Sequence, residues 1–213
     1  MNPRSRKTRL LGLLPSSLVV TRLPARGKVV HLTFDDGPDP EHTAPVLDLL
    51  ARHGAKATFF LVGNRLDDHP GVVERIVREG HQLGNHSWTH PFMSDLPLAG
   101  QLEEIERTDR ALARFDGIER HPFRPPCGVL PANLLLHYAR HRRTIAYWSY
   151  DSHDYTKLPA DRLAANLEQH PPRPGEVVLM HDDNAETSAL LARMLPAWIA
   201  AGWQVQALPP LRA

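Results

Sequence analysis

The stretch His31–Pro40, HLTFDDGPDP, ends an apolar run on two adjacent carboxylates, Asp35 and Asp36, and turns at once through Gly37 and Pro38. With the residues before it, KVVHLTF reads as a buried strand whose C-terminal end carries the acids. Asp, Gly and Pro are favoured in turns, so a solvated turn explains the composition. It does not explain the pair, because two neighbouring carboxylates repel each other.

Outward from this stretch, short apolar runs alternate with amphipathic segments. KVVHLTF, ATFFLVG, HQLGNH, HPFRP, RTIAYWSY, EVVLMH and WQVQAL are strand-like, and six helical segments lie between them, opening near Thr43, Pro70, Pro97, Ala132, Leu158 and Ala185. Thr43 can cap a helix start, and Gly54 and Gly80 stand where helices would stop. Leu98, Leu102, Ile105, Thr108/Asp109 and Leu112 give a near-helical stripe. Such alternation predicts βα units and a parallel sheet, open or closed.

The polar residues decide between those two. Asp35 and Asp36 follow the first strand, His86 and His90 the third, Arg124 the fourth, Asp151 and Asp154 the fifth, and His181 ends the sixth. A barrel gathers all these strand ends on one face, whereas an open sheet gathers only those near a switch point. The expected fold is therefore α/β, a barrel-like (β/α) arrangement of about seven parallel strands.

A chain of 213 residues, 42% hydrophobic and 23% charged with a net charge of +1, suits one globular domain and offers no global field for nucleic acid. The single cysteine, Cys127, rules out an internal disulfide. The start, RSRKTRLLGLLPSSLVV, is basic and then apolar, but Pro15, Ser16 and Ser17 interrupt it and TRLPARG offers no small-residue cleavage site. Residues 1–27 are expected to form a packing arm on a catalytic domain of 28–213. No transmembrane span and a cytoplasmic location are expected.

In NHSWTHP, His86 and His90 are four apart, a spacing at which two imidazoles on a helical turn reach one ion. Pro91 disfavours the α region at His90, so a turn or helix end is expected, and a capping turn with two surface histidines is the alternative. Two neutral histidines and one carboxylate make a three-ligand set with open positions. Only one aspartate is needed for it. The other could then accept a proton from water, with the cation offsetting the repulsion between the pair. His181, if paired with Asp154 or Asp151, could be held protonated as a general acid. Arg124 in FRPPCG is either a structural ion pair or an orienting partner of the base.

TFDDGPDP, GHQLGNHSWTHP, FRPPCG, DSHDY and VVLMHD together resemble, in order and approximate spacing, the five motifs of the polysaccharide deacetylase family, the nodulation-type deacetylase homology domain of carbohydrate esterase family four. The resemblance covers roughly residues 28–210 and implies a distorted seven-stranded (β/α) barrel. It further implies Asp35 as base, Asp36, His86 and His90 as metal ligands, and Arg124 as orienter of the base. The backbone N–H of Cys127 would be an oxyanion donor, Asp154 the partner of the catalytic histidine, and His181 the general acid. Trp88 and Tyr155 would line the substrate pocket.

Two positions depart from the family pattern. Cys127 replaces the usual aromatic residue after RPP, and Tyr155 replaces the usual Trp of the fourth motif. The implied activity is metal-dependent hydrolysis of N-acetyl, or less often O-acetyl, groups on a glycan. Zinc is the default ion, with cobalt, nickel, manganese or iron as alternatives. The rivals are a same-fold hydrolase of a non-sugar amide or imide, and a non-catalytic glycan-binding relative. The latter should lack one of Asp35, His86, His90 or His181.

Overall fold

The computed structural model describes residues 1–156 and 158–212. Its elements in chain order are α1 (Arg6–Leu11), β1 (Val19–Val20), β2 (Val29–Asp35), α2 (Thr43–Arg52), β3 (Thr58–Leu61), α3 (Pro70–Arg78), β4 (Gln82–Asn85) and α4 (Leu98–Asp116). There follow α5 (Ala132–Arg140), β5 (Ile145–Ala146), β6 (Tyr150–Asp151), α6 (Ala160–Glu168), β7 (Val177–His181), α7 (Ala185–Ala200) and β8 (Gln204–Gln206). The six segments expected to be helical are α2 to α7, and α1 adds a short helix in the N-terminal segment.

All strand ladders are parallel. They run β4–β3–β2–β7–β6, with β8 on the N-terminal half of β2, and β1 beside β5. Single bridges from Asn85 to Phe123 and from Phe123 to Ile145 span the gap between β4 and β5. Between β5 and β6 no ladder forms among the described residues, so the strands follow a distorted barrel-like course that ladders do not close. HPFRP, expected as a strand, supplies only those two Phe123 bridges. Pro122 and Pro125 flank it and have no N–H to donate, so no longer ladder can form. RTIAYWSY is split into β5 and β6.

β2 is buried along nearly its whole length, as a central strand covered on both faces must be. Phe34 and Phe59 stack at 5.0 Å in the main core, between the sheet and helices α2, α3, α6 and α7. Gly84 allows a close approach of β3: a Cβ there would stand 2.5 Å from the Phe60 ring. The expected Thr43 cap is not formed. Asp39 instead accepts the N–H groups of Glu41 and His42, while Thr43 Oγ1 accepts from the Asp39 N–H. Asp, one turn upstream, has the acceptor geometry that a helical Thr lacks.

The N-terminal segment runs along the β6 edge of the sheet, from the N-terminal end of β7 toward the end of β6. Asp151 N–H donates to Pro3 O, and Arg4 forms a buried pair with Glu176 at 2.7 Å. Among the described residues, no helix is long and apolar enough to cross a membrane.

Candidate active site

Parallel strands place their C-terminal ends on one face, and a cavity of about 750 Å³ opens there. Asp35, Asp36, His86, His90, Cys127, Asp154, Tyr155 and His181 all line it. Arg124 lies beneath, fully buried. Trp88 does not reach the cavity. Its indole packs over Gly63 and under the Arg107 guanidinium, 4.0 Å away.

The two adjacent aspartates face different partners because the backbone reverses between them, with Asp36 at φ 76°. Asp35 ends β2 and is buried. Its Oδ1 accepts from Arg124 Nη1 at 2.6 Å. Arg124 is itself fixed by Thr33 Oγ1 at 2.8 Å, by Tyr147 O at 3.0 Å and by the Phe60 ring at 4.0 Å. A guanidinium held on so many sides orients the carboxylate that it touches.

Asp36 Oδ1 lies 3.4 Å from His86 Nε2 and 3.1 Å from His90 Nε2. One ligand atom from each residue falls within 4.8 Å of the others, and Asp36 Oδ1 is buried with no hydrogen-bond partner of its own. Burial opposes ionisation of Asp36, but the two imidazoles outweigh it and hold the carboxyl well below its usual range. An ionised oxygen facing two imidazole nitrogens fits a divalent cation. His86 Nδ1 donates to Arg124 O at 2.9 Å, so Nε2 is the ring nitrogen that an ion would take when it replaces the proton between His86 and Asp36.

The two histidines lie outside any helix, as Pro91 predicts. They lie on a loop with Ser87 at φ 68° and His90 at φ 57°. Both conformations cost free energy in residues other than glycine, and Asn85 and Ser87 hold them in place. Asn85 Oδ1 accepts from the Ser87 N–H at 2.9 Å, and Ser87 Oγ accepts from the His90 N–H at 3.1 Å. Asn85 Nδ2 in turn donates to Ile105 O and to Asp109 Oδ1, each at 2.8 Å. None of this supporting chain was assigned from sequence. Its one visible signal was Asp109, an acid on the apolar stripe of α4.

On the opposite wall, His181 Nδ1 donates to Asp154 Oδ1 at 2.8 Å. The other Asp154 oxygen accepts from the His181 N–H and from Thr187 Oγ1. The structure selects Asp154, not Asp151, as the partner. Burial alone would lower the His181 pKa, but Asp154 outweighs it and raises it to about 10. Burial would raise Asp154, but its contacts with His181 and Thr187 hold it below the ordinary range. The Tyr155 ring stands edge-on to His181 at 5.3 Å.

Cys127 sits in the tight turn Pro126–Gly128 at φ 53°, with its thiol exposed. Burial of its surroundings pushes that thiol pKa up. The aromatic surface that residue 127 lacks is supplied nearby by Trp148, which lines the cavity. The indole stacks on Tyr147 at 4.2 Å, and a Cβ on Gly128 would strike both rings. Four of the six non-glycine residues at positive φ among those described, Asp36, Ser87, His90 and Cys127, belong to this site or its supporting loop. Backbone strain concentrated at one place is characteristic of a functional site.

The polysaccharide deacetylase family model matches residues 22–146. The chain is 33% identical over 198 residues to a chitooligosaccharide deacetylase of Bradyrhizobium, with 85% of this chain and 90% of that protein covered. It is 31% identical over 194 residues to a peptidoglycan-N-acetylglucosamine deacetylase of Bacillus cereus, with 86% and 88% covered. Among solved structures, the Bc1960 peptidoglycan N-acetylglucosamine deacetylase superposes with a TM-score of 0.84 at 32% identity, over 90% of this chain and 91% of that one. The chain belongs to the polysaccharide deacetylase family.

Proposed function

We propose that the protein is a metal-dependent carbohydrate deacetylase that hydrolyses N-acetyl groups on N-acetylglucosamine-containing glycans. The observation that carries this proposal is the convergence of two arrangements on one cavity. On one side is the Asp36–His86–His90 cluster, and on the other the Asp154–His181 pair. Membership of the family and the names of its relatives support the substrate class.

Asp36, His86 and His90 would hold the ion, zinc by default. When bound, it supplies Lewis acidity toward the acyl carbonyl and toward water. Asp35 takes the proton of the attacking water, with its carboxylate aimed by Arg124. The backbone N–H of Cys127 donates to the oxygen on which negative charge develops, an effect worth about 3 kcal/mol for a well-placed donor. His181 carries its proton on Nε2 and delivers it to the leaving nitrogen. Asp154 fixes the ring and keeps it charged until then. Acetate and a free amine leave. Trp148 and Tyr155 offer ring faces on which sugar rings can rest.

We further infer a catalytic unit of residues 28–213 with residues 1–27 as an arm. Action in a reducing, cytoplasmic compartment suits the free thiol exposed at the cavity. The test is acetate release across a panel of chitooligosaccharides, peptidoglycan fragments, and non-sugar amides and imides, with metal content measured in parallel. Acetate release from N-acetylglucosamine oligomers supports the proposal. Turnover confined to the amides or imides contradicts it.

A further inference from the structure

The first 34 residues contain seven Arg or Lys and no Asp or Glu, although the whole chain carries a net charge of only +1. Within this segment, Arg6, Arg9, Leu10 and Leu13 fall at i, i+3, i+4 and i+7, and all are exposed. Arg6, Arg9 and Leu10 share one face of α1 and Leu13 follows in the turn after it, its N–H bonded to Leu10 O, while Thr8 turns inward and is buried. Leu10 and Leu13, at 67% and 81% exposure, are the two most exposed large hydrophobic residues among those described. Arg6 and Arg9 form no ion pair among the described residues, whereas Arg4 is committed to Glu176 and Lys7 to Gly128 O.

The position of this face adds to its chemistry. Lys7 Nζ donates at 2.6 Å to the carbonyl of Gly128, and Gly128 lines the active-site cavity. Asp151, another cavity residue, donates its N–H to Pro3 O, and His153 Nε2 lies 3.3 Å from Asn2 O. The segment is therefore tied to the rim of the cavity at three places.

We propose that the Arg6–Leu13 face docks the enzyme on an anionic phospholipid surface, so that the cavity opens beside the lipid. Leucines flanked by unpaired arginines match what an acidic bilayer interface accepts, with apolar side chains entering the acyl boundary and cations meeting the headgroups. A second copy would bring the unpaired arginines of two such faces together, which like charge disfavours. The arginines point to the lipid.

The experiment is co-sedimentation of the full chain with unilamellar vesicles, either pure phosphatidylcholine or an equal mixture of phosphatidylcholine and phosphatidylglycerol. Binding should require phosphatidylglycerol and weaken with salt. The double variants Arg6→Glu/Arg9→Glu and Leu10→Glu/Leu13→Glu should each lose roughly 10-fold or more in partitioning. Both should retain wild-type acetate release from a soluble oligosaccharide, which reports that the fold and the catalytic residues are intact. Equal binding to neutral vesicles, no binding to either, or unchanged binding by the variants would overturn the proposal. So would a concentration-dependent dimer in light scattering that the leucine variant dissolves while vesicle binding is absent.

Discussion

Asp35 and His181 occupy the same register at the C-terminal ends of β2 and β7, paired across the central ladder of the sheet. The proposed base and the proposed acid are thus held at neighbouring positions by backbone hydrogen bonds. Each carboxylate–cation contact beneath them then fixes one side chain: Arg124 holds Asp35, and Asp154 holds His181. Their roles differ because their partners differ, a cation for Asp35 and an anion for His181.

Removing the Asp154 charge should move the pH dependence of the reaction. Asp154 is what raises His181, so in Asp154→Asn the histidine loses its proton at lower pH. The alkaline limb of the kcat profile should shift to lower pH, with turnover at neutral pH reduced roughly 100-fold. An unchanged alkaline limb would mean that His181 is not the acid.

The same pair makes stability depend on pH in metal-free protein. A histidine raised to about 10 stabilises the fold fully below its ordinary 6.5 and loses that contribution as pH rises toward the raised value. Asp154, held low, contributes above its ordinary 3.8 and loses its contribution as pH falls. Urea denaturation should therefore show the largest gap between wild type and Asp154→Asn at about pH 5–6, and a smaller gap near pH 10. A gap independent of pH would contradict the pairing.

Arg124→Gln should cost on the order of 3 kcal/mol in unfolding free energy, because it strands a buried carboxylate. It should also depress turnover while leaving the bound metal in place, since Arg124 touches Asp35 and not Asp36. Denaturant titration and metal analysis of the same sample check both halves. A variant of unchanged stability would show that the Asp35 charge is compensated elsewhere.

Cys127→Ala should keep near-wild-type acetate release, because the proposed donor is the backbone N–H and Ala at φ 53° meets the same constraint as Cys. A folded, metal-loaded but inactive Cys127→Ala protein would assign a part to the thiol itself.

Much of this architecture was legible because periodicity and function coincide. Each βα unit announces itself by an apolar run, and the reactive residues sit where the runs end. HPFRP misled because apolar content signals a strand while its prolines forbid the ladder, a conflict that only the pairing resolves. Trp88 misled because a tryptophan between two candidate metal ligands invites a substrate role, yet its indole packs onto Gly63 and under Arg107. Trp148 carried no signal, since nothing local distinguishes an aromatic residue facing a cavity from one facing the core. The Asn85–Asp109 support of the histidine loop left a trace, an acid at an apolar helical position, but its partner lay 24 residues away in sequence.

The central claim is that Asp35 and Asp36 have separable tasks. The most direct test is metal content and acetate release measured together on purified Asp35→Asn and Asp36→Ala. Asp35→Asn should retain stoichiometric metal and lose turnover by roughly 100-fold or more. Asp36→Ala should lose both the metal and the activity. Metal retained by both variants, or full activity in Asp35→Asn, would contradict the division.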